Sequence, residues 1–172
     1  KEALRLLQMI EEIMHLARIE DGKRQIHPER LRLSGLIQDI VEFMEPVLME
    51  KKVTVHCTMD DTEVWADRGL FREMIMNLLD NAVKYNRPGG HVYIDVRHDG
   101  HKAFFVIRDT GIGIPPEKQE WVFERFTKVD PFKPGSGIGL YLCRLIVTRL
   151  GGDIRVCPEY SGGCCIRIEL PY

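Results

Sequence analysis

The sequence predicts an α+β domain in which one mixed, mainly antiparallel sheet carries helices on one face. Two observations lead to this prediction. Apolar residues recur at helical spacing in four stretches, and six short stretches between or after them are typical of strands. The 172 residues are enough for one domain that buries its core without disulfide bonds.

The composition is that of a soluble globular protein and excludes several functional classes. Hydrophobic residues make up 44% of the chain and charged residues 29%, which is too apolar for disorder. A formal net charge of -2 argues against nucleic acid or an anionic membrane surface as a partner. The first 19 residues carry too many charges for a signal peptide, so we expect a cytoplasmic location, with any membrane anchor outside this segment.

The chain is predicted to begin with a stem segment over residues 1–24, an amphipathic helix that ends near Asp21 and Gly22. Such a helix needs a partner, so we expect it to be half of a helical hairpin or one arm of a dimer. A polar linker over residues 25–33 should separate it from a domain over residues 34–172. The apolar face of the helix comprises Ala3, Leu6, Leu7, Ile10, Ile13, Met14 and Ala17.

Three further helices are predicted in that domain. The first begins with Ser34 as its N-cap, runs to Leu48 and is bent by Pro46. The others span residues 67–85 and 138–150. The strand candidates are residues 53–57, 63–66, 91–97, 102–109, 153–157 and 164–170.

A stripe of polar residues lies on the helix predicted over residues 67–85. Asn77, Asn81 and Lys84 are four and three residues apart, so they share one face. Amide oxygens suit a hard cation and an ammonium group suits a phosphate. Taken alone, the stripe is equally typical of a solvated helix face.

A carboxylate and two glycines follow the strand predicted over residues 102–109. Asp109 offers a hydrogen-bond acceptor, and Gly111 and Gly113 allow a flat ring to approach the backbone closely. An ordinary Asp-Gly turn would give the same pattern.

Three glycines, Gly135, Gly137 and Gly139, precede or open the last helix. Backbone N–H groups at the start of a helix attract anions. The spacing matches neither the dinucleotide-binding fingerprint nor the P-loop, and a flexible hinge would also explain it.

The order of these motifs resembles the ATP-binding catalytic domain of sensor histidine kinases, which is related to gyrase and MutL ATPases. The N box corresponds to residues 77–85, the first glycine box to 109–114, the F box to 123–126 and the second glycine box to 135–140. The resemblance implies a Bergerat-type two-layer α/β sandwich. It also implies that residues 1–24 end the second dimerisation helix.

The resemblance implies roles for the polar residues. Asn81 would coordinate Mg²⁺ beside Asn77, and Lys84 would neutralise a phosphate of ATP. Asp109 would accept a hydrogen bond from the adenine amino group, and Tyr85 would pack on the nucleotide.

Residues 115–139 would form a lid over the nucleotide. Lys128 would reach the γ-phosphate, and Phe123 and Phe126 would anchor the lid or its contact with the helical stem. The other residues implied to bind ATP are Gly111, Gly113, Ile114, Gly135, Gly137, Ile138, Gly139 and Leu140.

The implied activity is transfer of the ATP γ-phosphoryl group to a histidine on a stem helix, and from there to an aspartate of a response regulator. Asn77, Lys84 and Lys128 would be the catalytic residues of a homodimeric kinase. The related ATPases carry a glutamate base where this chain has Asn77, and an amide cannot take a proton from water. An ATPase-like clamp and a catalytically silent nucleotide-binding module remain alternatives.

Two features depart from the family pattern. No histidine shows the His-Glu or His-Asp acceptor pattern on a stem helix, because Leu16 follows His15 and His98-Asp99 falls in a predicted hairpin turn. The acceptor is therefore expected on sequence outside these residues. Cys164 also stands where the family often has a hydroxyl near the adenine.

Overall fold

The computed structural model describes all residues 1–172 as four α-helices and seven strands. The helices are α1 Glu2–Glu20, α2 Leu33–Lys51, α3 Arg68–Lys84 and α4 Gly139–Arg149. The strands are β1 Pro28–Arg32, β2 Thr54–Met59, β3 Glu63–Asp67, β4 His91–His98, β5 Lys102–Asp109, β6 Asp153–Val156 and β7 Cys165–Pro171.

The main sheet has five strands in the order β2-β4-β5-β7-β6. Only the pairing of β2 with β4 is parallel, which confirms the predicted mixed, mainly antiparallel sheet. Alternate side chains such as Ile94, Phe105 and Ile168 point to one face and are buried. The helices cover that face, so the fold is the predicted two-layer arrangement.

A second, two-stranded sheet formed by β1 and β3 corrects the prediction of a single sheet. Pro28–Arg32 also lies within the predicted linker, so that stretch is partly a strand. The sequence gives little signal for this strand because Leu31 is its only buried residue. Leu33 then begins α2 directly, which leaves Ser34 inside the first turn instead of at the N-cap.

The start of α3 agrees with the prediction and fixes the helix that carries the polar stripe. Asp67 is its N-cap, and Oδ1 accepts a hydrogen bond of 3.0 Å from the backbone N–H of Leu70. Its other oxygen accepts one of 2.9 Å from the N–H of His27, before β1. These bonds hold the pKa of Asp67 below its usual value against the opposing effect of burial.

Only the last turns of α1 pack against the domain. Leu16 and Ile19 are buried in the common core, and Gly22 adopts the left-handed conformation expected after the helix. The side chains exposed nearer its start are Leu4, Leu6, Leu7, Ile10, Ile13 and Met14. None of the four helices combines the length and apolar character needed to cross a membrane.

Candidate functional site

A cavity of about 390 Å³ lies among α3, the end of β5 and the start of α4. This volume is within the range of small-ligand sites. Of the residues predicted to bind nucleotide, all except Gly111 line it: Asn77, Asn81, Lys84, Tyr85, Asp109, Gly113, Ile114, Lys128, Gly135, Gly137, Ile138, Gly139 and Leu140.

Asp109 ends β5 and supplies a buried carboxylate to the cavity wall. Its Oδ1 accepts hydrogen bonds from the backbone N–H groups of Gly111 and Cys164, at 2.9 and 3.0 Å. Burial raises the pKa of Asp109, and these two hydrogen bonds only partly offset the rise. The two bonds fix one oxygen, so the carboxylate is oriented before any ligand arrives.

Glycines allow the backbone segments around Asp109 to approach closely. A Cβ on Gly111 would lie 2.3 Å from the carbonyl oxygen of Tyr85, and one on Gly163 would lie 2.2 Å from that of Asp109. Gly111 thus lies behind the carboxylate and supports it, outside the cavity wall. Gly163 was missed as a site residue because its contact depends on how β7 approaches β5.

Basic side chains form another part of the cavity wall, its basic end, where the main charges that act on the pKa of Lys84 include Lys128 and not Asp109. Lys84 and Lys128 both line it, and the ammonium group of Lys84 donates a 2.9 Å hydrogen bond to the carbonyl of Pro134. The ammonium also lies 5.0 Å from the ring centre of Tyr85. Burial lowers the pKa of Lys84, and the positive charge of the nearby Lys128 lowers it further. An anionic ligand would relieve this crowding of positive charge.

The start of α4 adds backbone donors to the basic end. Ile138 precedes the helix and provides no side-chain cap, so the first N–H groups are free to meet an anion. Gly137 has φ +77°, and a Cβ there would lie 2.8 Å from the backbone of Phe126. Gly139 passes Asn77, whose Oδ1 would be 3.4 Å from an added Cβ.

The two F-box phenylalanines differ in their environment. Phe123 lies in a short 3-10 turn and is buried, as expected of an anchor for the loop. Phe126 is 60% exposed and has φ +59°, so it does not anchor the loop within this chain, and its contact with the helical stem stays a prediction.

Glu20 of α1 joins the F box to α4. Its Oε1 lies 2.8 Å from the Arg125 guanidinium and accepts a 2.8 Å hydrogen bond from the Tyr141 hydroxyl. Arg149 donates to the Glu20 carbonyl at 2.9 Å. The end of α1 is thereby tied to both sides of the glycine-rich loop.

Two further residues of α1, Glu12 and His15, line the cavity and were not predicted. His15 pairs with Glu73 of α3, with Nε2 2.8 Å from Oε1. Glu73 lies one turn before Asn77, so α1 contacts the helix that carries the polar stripe. Sequence periodicity could not reveal this, because it does not report where α1 docks.

Mg²⁺ was expected here, and the donor set fits that ion. Asn77 and Asn81 present amide groups to the cavity near its basic end. Mg²⁺ is commonly held by one or two protein oxygens together with phosphate oxygens and water. No cluster of three acidic, histidine or cysteine side chains provides an all-protein metal site. The ion would therefore bind together with a phosphate ligand.

Comparison with known proteins identifies the family to which this chain belongs. Residues 66–172 match the family described as histidine kinase-, DNA gyrase B- and HSP90-like ATPases. This range contains the polar stripe, the Asp109 carboxylate and both glycine-rich segments.

Several relatives are sensor kinases. The chain is 36% identical over 169 residues to the adaptive-response sensory kinase SasA of Crocosphaera subtropica, covering 95% of this chain and 44% of that protein. The mycobacterial sensor histidine kinase MprB superposes with a TM-score of 0.74 at 32% identity, covering 84% of this chain and 97% of MprB. Full-length ShkA in complex with AMPPNP superposes with a TM-score of 0.84 at 27% identity, covering 96% of this chain and 35% of the ShkA chain. The chain spans less than half the length of the curated relatives it matches.

Proposed function

Because the chain belongs to the family of histidine kinase-, DNA gyrase B- and HSP90-like ATPases, we propose that the cavity binds ATP for phosphoryl transfer to a histidine. The complete protein would be the sensor kinase of a two-component system. The phosphoryl group would then pass to an aspartate of a response regulator. The relatives named above are sensor kinases, which supports this proposal.

The polarity of the cavity is the observation that carries the proposal. A buried carboxylate, Asp109, lines the cavity, and so do the basic groups Lys84, Lys128 and the start of α4, while Asp109 is not among the main charges that act on the pKa of Lys84. A carboxylate oxygen accepts a hydrogen bond from the amino group of adenine, whereas guanine presents a carbonyl oxygen there. The basic end suits a triphosphate. ATP is the common nucleotide that matches both ends.

Asn77, near the basic end of the cavity, favours phosphoryl transfer to a protein acceptor over hydrolysis. Asn77 lines the cavity beside Gly139, where a base would be needed to activate water. A neutral amide can hold Mg²⁺ or a phosphate but cannot accept a proton from water. Asn77, Lys84 and Lys128 would therefore position and neutralise the γ-phosphate. Bound Mg²⁺, with Asn81 as a ligand, would supply further charge neutralisation.

Neither His15 nor His98 suits the role of acceptor. His15 is engaged by Glu73, one turn before Asn77. His98 ends β4, beside a turn in which Asp99 accepts hydrogen bonds from the N–H groups of His101 and Lys102. The acceptor would thus belong to the first stem helix, outside residues 1–172. The exposed apolar side chains of α1 would pack against that helix and its symmetry mate in a homodimer.

A phosphotransfer assay tests the proposal. This chain is mixed with a longer stem protein and ATP labelled at the γ-phosphate, and label on the stem is measured after base and after acid treatment. We expect acid-labile, base-stable label, as for a phosphohistidine, with little free phosphate. Rapid release of phosphate without labelled stem would instead indicate an ATPase. Absence of nucleotide binding would contradict both activities.

A further inference from the structure

α1 forms part of the cavity wall at its basic end. Glu12 and His15 of this helix line the same cavity as Lys84 and Lys128. His15 contacts the Glu73 carboxylate at 2.8 Å, and the guanidinium of Arg24 lies 3.7 Å from the same carboxylate. Glu12 is exposed to the solvent and lines the cavity together with the two lysines that would meet phosphates.

The charges around Lys84 place Glu12 within electrostatic reach of that site. Burial lowers the pKa of Lys84, whereas the carboxylate of Asp80 raises it. The positive charges of Lys128 and Lys133 also lower the pKa of Lys84, and the negative charge of Glu12 raises it. A carboxylate close enough to act on this ammonium is close enough to repel an anion bound to it.

We infer that Glu12 determines specificity at the nucleotide site by weakening binding in proportion to the negative charge of the ligand's phosphates. The inference rests on the proposed function, because it assigns the basic end of the cavity to phosphates. Glu12 disfavours metal-free triphosphate most, the Mg²⁺ complex less, and an uncharged nucleoside not at all. The site is thereby selective for metal-bound nucleotide.

Glu12 also couples the nucleotide to the docking of α1. The helix buries only Leu16 and Ile19 in the common core, and its polar contacts are made by His15 and Glu20. Such limited contact makes the docked position sensitive to small electrostatic changes. By thermodynamic reciprocity, if docked α1 weakens binding of phosphates, bound phosphates weaken the docking of α1.

Calorimetric titration of the Glu12→Gln variant tests the inference. Relative to the wild-type chain, we expect Kd to fall about three- to fivefold for metal-free ATP and about twofold for MgATP, since exposed charges are screened. Kd for adenosine stays unchanged. Glu11→Gln is the matched control, because Glu11 neighbours Glu12 on α1, is exposed and does not line the cavity.

The outcomes separate the inference from the proposed function. Equal ATP affinity in wild type and Glu12→Gln, or weaker binding in the variant, would overturn the role of Glu12 while leaving the ATP site intact. A wild-type chain that binds neither adenosine nor ATP would overturn both.

Hydrogen exchange of wild-type α1 provides a test that needs no variant. Saturating metal-free ATP should speed amide exchange over residues 13–20, and adenosine should not. Identical exchange with the two ligands would contradict the coupling.

Discussion

Replacing Asp109 with asparagine tests how the site recognises the base. The substitution keeps the shape of the side chain, so what changes is the hydrogen-bonding pattern. In the structure, Oδ1 accepts hydrogen bonds from the N–H groups of Gly111 and Cys164. The amide oxygen of asparagine must take that position, which turns the NH₂ group toward the ligand. A donor would then meet the amino group of adenine.

The expected loss of ATP binding free energy has two parts: a charge-assisted hydrogen bond is lost, and the new NH₂ group is left as an unpaired donor. Together they cost about 2 to 4 kcal/mol, which raises Kd for ATP ~30- to ~900-fold. The ratio of ATP to GTP affinity should also fall, since the NH₂ group can donate to the carbonyl oxygen of guanine. The unliganded variant should melt no lower than wild type, because a buried charge has been removed.

Titration calorimetry of ATP and GTP against wild type and Asp109→Asn provides the measurement. Asp95→Asn is the control, because Asp95 is a partly exposed carboxylate paired with Arg108 on the other face of the sheet. An ATP affinity that is unchanged in the Asp109 variant would refute the assignment of the adenine end.

Three further predictions address the two ends of the cavity and its supporting backbone. Adenosine affinity should fall as pH drops through the raised pKa of Asp109, because the protonated carboxyl group is a poorer hydrogen-bond acceptor. Adenosine titrations at a series of pH values from neutral to acidic measure this. An affinity that does not change with pH would contradict the prediction. Lys84→Met should weaken ATP binding about tenfold or more while leaving adenosine affinity unchanged, and an equal loss for both ligands would count against a phosphate contact. Gly163→Ala should lower the free energy of unfolding by about 2 kcal/mol or more, because its Cβ would lie 2.2 Å from the Asp109 carbonyl oxygen at φ +154°. Gly35→Ala in α2, where nothing lies within 4 Å, is the control for that variant, and equal denaturation midpoints would show that the close approach is not required.

Local patterns were sufficient to predict the elements that carry the site. The spacing of Asn77, Asn81 and Lys84 places them on one helix face wherever that helix packs, and the structure brings all three to the cavity. The strand before Asp109 alternates buried and less buried residues, so its end could be located from the sequence. Both signals come from the regular geometry of a single element.

Features that depend on how elements meet could not be predicted in this way. Pro28–Arg32 pairs with β3 although only Leu31 is buried, so no alternation marks the strand. Glu12 reaches the cavity because Leu16 and Ile19 dock α1, and helical spacing does not identify the surface that receives them. The approach of Gly163 to Asp109 likewise needs the pairing of β5 with β7.

A crystal structure with Mg²⁺ and a non-hydrolysable ATP analogue would test the orientation of the ligand most directly. The adenine amino group should lie within hydrogen-bonding distance of the free oxygen of Asp109, with the phosphates between Lys84 and the start of α4. Density for the purine beside the lysines, or for the analogue outside this cavity, would contradict the account.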